Sequence, residues 1–200
     1  MRTCTEVSAN RFTAVIDACV LADVARRDLL LSLAEAGLVR LRWSNRILSE
    51  TEKAIAAILS DRADANERAS ASIRAMKTAF PDALEDEHAD ILKDLDCLPD
   101  TDDHHVLAIA IGCKASLIVT ENLKDFPREA LLPYDLDVKS SDAFLADAID
   151  LDYPRAIQAV RHLRERLRNR AFSIDALFEI WRRRGMNETV NVLYPHARHL

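Results

Sequence analysis

Apolar positions in this chain fall into short uninterrupted runs separated by longer stretches of helical spacing. Thr13-Ala14-Val15-Ile16-Asp17 is the pattern of a short buried strand ending on an acid. Val39 to Trp43 predicts a second strand, Ser116 to Thr120 the clearest strand of all, and Asp137-Val138-Lys139 a last short one. Between them, Val20 to Glu35 predicts a helix with Leu21, Val24, Leu31 and Ala34 among its apolar positions and Gly37 just past its end. Ser44 is placed to cap the next helix, which carries Ile47, Leu48, Thr51, Ala54, Ile55 and Ile58. A polar helix is expected from Asp64 to Phe80, stopped by Pro81. Glu85 to Leu98 is acidic and predicts a mixture of helix and short strand, after which Asp102 is expected to cap an apolar helix running to Cys113. Strands alternating with helices through short joins predict a parallel sheet with covering helices.

Beyond Lys139 the pattern is helical throughout. Ala156, Val160, Leu163 and Leu167 follow the spacing of an amphipathic helix, with Arg161, Arg164, Arg166, Arg168 and Arg170 on the other face. Ser173 can cap a further helix, with Ile174, Leu177, Phe178 and Trp181 as its apolar stripe and Arg182-Arg183-Arg184-Gly185 at its end. One more short helix is expected from Asn187 to His199. The chain thus divides into a sheet-containing domain over residues 12–139 and a helical extension over 140–200, with no internal repeat and no low-complexity linker.

Composition narrows the function classes. At 49% hydrophobic and 30% charged over 200 residues, the chain is ordinary globular material able to bury one core. Three glycines leave no glycine-rich phosphate loop. Cys4, Cys19, Cys97 and Cys113 show no CxxC pairing and read as buried, reduced thiols. No apolar run approaches the roughly 20 residues of a membrane span, and none resembles a leader, so a soluble, cytoplasmic protein without membrane contact is expected. Net charge is −6, but it is unevenly spread: residues 154–200 hold ten arginines and four acids, a local +6, while residues 1–153 stand at −12. The basic tail reads either as a solvated helix face or as a surface for phosphates.

The candidate chemistry lies in the acids. In an open parallel sheet, the loops after the strand ends and the helix N-termini meet at one edge, where ligands bind. That edge would gather Asp17, Glu50, Asp103 and the Asn122/Asp125 loop. Carboxylates so gathered repel one another unless a hard cation such as Mg²⁺ or Mn²⁺ sits among them. In phosphodiester cleavage such an ion activates water and neutralises charge developing on phosphate. Each acid also has a plainer reading: Asp102 as a cap, Asp103 as a carboxylate favouring a helix dipole, Glu50 as a surface residue. His104 and His105 are adjacent and point to different sides, which argues against a shared zinc. Asp100-x-Asp102 lacks the glycine and closing glutamate of a calcium loop. No Ser-His-Asp or Cys-His set competes.

The ordered segments Asp17-Ala18-x-Val20-Leu21, Trp43-Ser44…Glu50, Asp102-Asp103-His104-x-Val106-Leu107-Ala108-x-Ala110 and Thr120-x-Asn122-x-x-Asp125-Phe126-Pro127 resemble the PIN domain. More narrowly they are similar to the VapC-type ribonuclease toxins of bacterial toxin–antitoxin pairs, over residues 12–138. The resemblance implies a three-layer α/β/α sandwich with a central parallel sheet, and Mg²⁺- or Mn²⁺-dependent endoribonuclease activity on structured RNA. It further implies a cognate antitoxin and a homodimer. Asp17, Glu50 and Asp103 match the metal-site acids, Asn122 and Asp125 complete the catalytic set, and Ser44, Thr120 and Asp102 are expected to support them. Asn122 departs from the aspartate that many members carry and lowers the negative charge by one, which bears on a second metal. The extension resembles that of one subgroup, and Arg164, Arg166 and Arg168 are its candidate RNA contacts. Two rival readings stand beside this one: a non-catalytic PIN-like module binding RNA or protein, and a metal-dependent DNA nuclease.

Overall fold

The computed structural model describes residues 13–167 and 173–200. Its strands are β1 (Thr13–Ile16), β2 (Arg40–Ser44), β3 (Leu84–Glu85), β4 (Leu117–Val119) and β5 (Asp137–Lys139). They form one sheet in the order β3-β2-β1-β4-β5, and every pairing is parallel. Ala14, Val15, Ile16, Ile118 and Val119 are wholly buried, as expected of strands covered on both faces. From β1 the chain steps outward to β2 and β3, then returns across the sheet to β4 and continues the other way to β5. Right-handed crossovers running in opposite directions place their helices on opposite faces, which produces the three-layer α/β/α sandwich. The direction reverses between β1 and β4, so the switch point lies at their carboxyl ends.

Two local departures from the sequence pattern matter for that edge. The helix expected from Val20 to Glu35 is two helices, α1 (Ala18–Ala22) and α2 (Val24–Glu35). Asp23 between them is extended and buried, and its carboxylate accepts from the Ala25 and Arg26 amides at 2.9 and 3.1 Å. An aspartate that can satisfy two free amides at a new helix start outcompetes the propensity for one continuous helix. α3 (Asn45–Ile58) and α4 (Ala65–Ala79) follow the pattern closely, and the Ser44 hydroxyl accepts from the Ile47 amide as its spacing predicts. The acidic stretch resolves into β3 and α5 (Ala89–Asp94).

The second departure concerns Asp102. A 3₁₀ turn, Thr101–Asp103, precedes α6 (His104–Gly112), and Asp100 rather than Asp102 supplies the cap, accepting from the Asp102 amide at 2.9 Å. Asp103 stands immediately before α6 with no capping bond from its side chain. His104 through Ala110 are all buried. The Leu98 amide donates to His104 Nε2 at 3.4 Å, so that histidine serves the core.

After α7 (Arg128–Leu131) and β5 come α8 (Ser141–Leu151), α9 (Tyr153–Arg166), α10 (Ile174–Arg183) and α11 (Asn187–Leu193). Ala156, Val160, Leu163, Leu177, Phe178 and Trp181 join the same apolar core as the sheet. The Ser173 hydroxyl accepts from the Ala176 amide, as its position predicts. The Asp142 carboxylate receives the Glu188 and Thr189 amides at 2.8 Å each, which fastens the start of α11 to α8. Among the described cysteines, Cys19 and Cys113 are half-buried free thiols, whereas Cys97 is exposed, contrary to expectation, because it sits in the irregular segment after α5; Cys4 lies outside the described residues. No described helix is long and apolar enough to cross a membrane.

Candidate active site

The switch point carries Asp17 on one strand end and Thr120 on the other. The Asp17 amide donates to the Val119 carbonyl at 3.0 Å, extending the β1–β4 ladder by one residue and seating the two side chains together. Asp17 Oδ1 accepts from the Ala18 amide at 2.6 Å, while Oδ2 accepts from Thr120 Oγ1 at 2.7 Å and from Cys19 Sγ at 2.9 Å. With three donors on it, this carboxylate is held in one orientation although it is only 7% exposed. The Cys19 thiol is pushed up to about 12, by burial first and by the Asp17 charge second, so it stays a neutral donor. Thr120 Oγ1 also accepts from the Asn122 amide at 3.0 Å, which ties the following loop to the same point.

Asp103 faces this group from the turn before α6. Its carboxyl is pushed up to about 6, chiefly by burial and then by the charges of Asp17, Asp100, Asp125 and Glu50. Four acids therefore act on one half-buried carboxyl, and the energetic signature is uncompensated negative charge. Asp17, Glu50, Asp103 and Asp125 are thus brought into one electrostatic neighbourhood. Asn122 is exposed at the rim, and Asp125 closes a 3₁₀ turn (Leu123–Asp125) with its amide donating to the Asn122 carbonyl at 3.0 Å. Ser44 is buried as a helix cap, and Asp102 contributes its backbone carbonyl. Among the described residues, no three His, Cys, Asp or Glu side chains converge closely enough to enclose a metal by themselves.

Glu50, one-third exposed on α3, is bracketed by two bases. Arg46 Nε lies 3.2 Å from Oε1, and His105 Nε2 lies 3.1 Å from Oε2. Asp100, Cys19, Arg46 and His105 were not among the residues expected from sequence to build this site. The i, i+4 spacing of Arg46 and Glu50 is a readable signal for one of them. For His105, only the fold turns the ring toward α3.

Two of the arginines expected to meet RNA, Arg164 and Arg166, make contacts within the chain. Arg166 donates to Glu35 Oε2 at 2.6 Å and to Ser32 Oγ at 2.8 Å, and Arg164 donates to the Leu200 carbonyl. Glu35 ends α2, roughly 18 Å along the helix from its start beside the switch point. Arg166 therefore sits toward the amino edge of the sheet, away from the acids. Arg168 lies outside the described residues. On the near side, Arg184 reaches Asp23 Oδ2 at 3.0 Å, and Arg26 pairs with Glu121 at 3.3 Å. Glu121 in turn accepts from the Ser141 amide at 3.2 Å, linking the loop after β4 to the start of the extension.

A three-layer parallel α/β domain with a carboxylate cluster at its switch point defines the class known as the PIN architecture. The PIN domain family model matches residues 13–124, more than half of the chain, and the chain belongs to that family. Residues 141–195 match the model of the VapC50 C-terminal domain. A 58-residue stretch is 50% identical to the Mycobacterium tuberculosis protein named "Putative ribonuclease VapC50"; it covers 29% of this chain and 34% of that protein. The match thus spans about a third of the curated relative's length. No solved structure matches the chain.

Proposed function

We propose that this chain is a Mg²⁺- or Mn²⁺-dependent endoribonuclease of the VapC type, acting on structured RNA and restrained by a cognate antitoxin. The observation that carries the proposal is the Asp17 carboxylate fixed at the switch point by Thr120 and the Ala18 amide, with Asp103, Asp125 and Glu50 gathered in the same neighbourhood. The donor chemistry fits a hard divalent cation: the groups are oxygens, they are negatively charged, and among the described residues no cation pairs with Asp103. Mg²⁺ takes only one or two carboxylates and keeps its remaining positions for water, so a closed protein cage is not required. Asp17 and Asp103 would hold the ion, with Glu50 beside them. When bound, the ion supplies charge neutralisation on the phosphate and activation of water.

The chain's own residues have defined tasks in this reading. Thr120 and the Ala18 amide keep Asp17 from rotating. Glu50, one-third exposed, takes a proton from water at a carboxylate oxygen. Asn122 presents an amide at the rim, where it can meet a phosphate or base. The name of the curated relative, a ribonuclease, supports nuclease activity.

Purified full-length protein should cleave structured RNA when Mn²⁺ is added, and EDTA should abolish the reaction. Undiminished cleavage by Asp17→Ala and Asp103→Asn would overturn the assignment. RNA and DNA substrates run side by side test the polymer class. A protein that binds RNA but shows no carboxylate-dependent Mn²⁺ uptake would instead be a binding module.

A further inference from the structure

Arg26, in the first turn of α2, gathers three acceptors from three separate parts of the chain. Nη2 donates to the Arg184 carbonyl at 2.7 Å and lies 3.3 Å from Glu121 Oε2, while Nη1 lies 3.5 Å from Asp23 Oδ2. Nε is enclosed without a partner among the described residues, so the outer two nitrogens carry the contacts. Glu121 is held again at its other oxygen: Oε1 accepts from the Ser141 amide at 3.2 Å and from the Ser141 hydroxyl. Ser141 is the first residue of α8, and Arg184 follows the last residue of α10. The carboxylate thus sits at a helix N-terminus and the guanidinium at a helix C-terminus, the signs that the two helix dipoles favour. α11 closes the arrangement, because its Glu188 and Thr189 amides donate to Asp142 of α8.

We infer that the helical extension is part of the frame of the acidic site, and that Arg26 is the positioning residue that joins the two through Glu121. Glu121 stands between Thr120, whose hydroxyl fixes Asp17, and Asn122 at the rim. The Thr120 amide donates to the Lys139 carbonyl at 3.1 Å and so belongs to the β4–β5 ladder. Neither of the next two amides joins the sheet: Glu121 donates to Cys19 Sγ at 3.3 Å, and Asn122 donates to Thr120 Oγ1. A segment that has left the ladder is locally weak unless side chains tie it down. Here the tie is a carboxylate gripped from both oxygens by charge-assisted contacts. One grip comes from α8 and the other from Arg26, which is itself fastened to the end of α10. A planar fork with several donors can meet a carbonyl and two carboxylates together, which a lysine ammonium on its flexible stem does poorly. The catalytic consequence rests on the ribonuclease reading above, whereas the brace itself does not.

Two arms test this on the full chain, and the first needs no activity. Amide hydrogen exchange followed by NMR compares the Glu121 and Asn122 amides with the strand amides of β1 and β4. Arg26→Ala and Glu121→Ala should each speed exchange at Glu121 and Asn122 about 10-fold and leave the strand amides unchanged. The double variant should do no more than either single one, because both cut the same link. Ser141→Ala, acting from the extension, should speed the same two amides by a smaller factor. Arg183→Ala, whose partner Glu179 lies within α10, should change nothing. Exchange within about twofold of wild type in both Arg26→Ala and Glu121→Ala would overturn the brace. So would exchange that quickens equally in the strands, since that marks lost stability rather than lost position. The second arm is kinetic: Arg26→Ala should lower kcat about 10–100-fold with KM near wild type. A raised KM at unchanged kcat would make Arg26 a substrate contact and overturn the positioning role. If wild type cleaves no RNA, the ribonuclease reading fails, and exchange still decides the brace.

Discussion

The acidic edge and the arginine-rich extension treat charge in opposite ways. At the switch point, like charges are gathered around Asp103 and its carboxyl rises to about 6. In the extension, opposite charges meet: Arg184 with Asp23, Arg166 with Glu35, Arg183 with Glu179. The first two pairs orient one helix against another, the third lies within α10, and each commits its arginine to a partner inside the chain. Gathering without pairing lowers the stability of the empty fold and is retained where a ligand repays it. A net balance of +6 over residues 154–200 therefore says less about RNA than the partners of each arginine do. The pairs of Arg184 and Arg166 fasten the extension to the sheet domain, and the chemistry proposed above is assigned to the acids.

The largest effect expected on either side is loss of catalysis. Asp103→Asn should reduce RNA cleavage by about 10³-fold or more, roughly 4 kcal/mol in the barrier, read from single-turnover rates with Mn²⁺. Cleavage within tenfold of wild type would break the assignment of the acidic edge to chemistry. Next comes the hinge where the two regions meet. Asp23→Ala removes a helix cap and leaves Arg184 without its buried partner, so urea unfolding should show a loss of about 2–3 kcal/mol. A loss below ~0.5 kcal/mol would mean that the extension is not docked through this pair.

The same Asp103→Asn variant should make the metal-free protein more stable. A shift from 3.8 to about 6 on a half-exposed group amounts, after allowance for solvent screening, to about 1 kcal/mol. For a chain of this size that is a melting-temperature gain of ~2–4 °C near neutral pH. The sign with pH follows from the raised value. Because folding tightens proton binding at Asp103, its favourable contribution is fully present below its unfolded value of 3.8 and is lost as pH rises through about 6. Metal-free wild type should thus lose stability relative to the variant between pH 4 and 7, and parallel curves for the two would break the charge-gathering account. Smallest is Arg166→Ala: removal of a half-exposed pair should cost no more than ~1 kcal/mol. It should leave the salt dependence of RNA binding unchanged, since a true phosphate contact would reduce the slope by about 1.

Much of this architecture was legible along the chain. The apolar runs at 13–16 and 117–119 could only be buried strands, and the alternation with helices required a parallel sheet. Ser44 and Ser173 sit at their helix starts because capping depends on three neighbouring residues and nothing else. The placement of Asp17 at a strand end and of Asp103 before an apolar helix follows from the same local rules, and those rules directed both toward one edge. Local signals were less reliable where a side chain had two competing partners. Asp23 splits a helix that periodicity makes continuous, and Asp100 takes the capping bond that spacing assigns to Asp102.

What the sequence determined by itself, then, is what short-range physics decides: which segments are strands, which are helices, where they start, and which acids stand at strand ends. The tertiary structure decided which charges meet. Arg166 reaches Glu35 across 131 positions and Arg184 reaches Asp23 across 161. His105 comes within 3.1 Å of Glu50 only because the fold brings the start of α6 to α3. Coulomb energy depends on separation in space and on burial, and neither is encoded in spacing along the chain. For that reason an arginine-rich helix and an acidic loop look equally functional as text, and only packing shows that Arg166 and Arg184 meet acids while Asp103 gathers like charges.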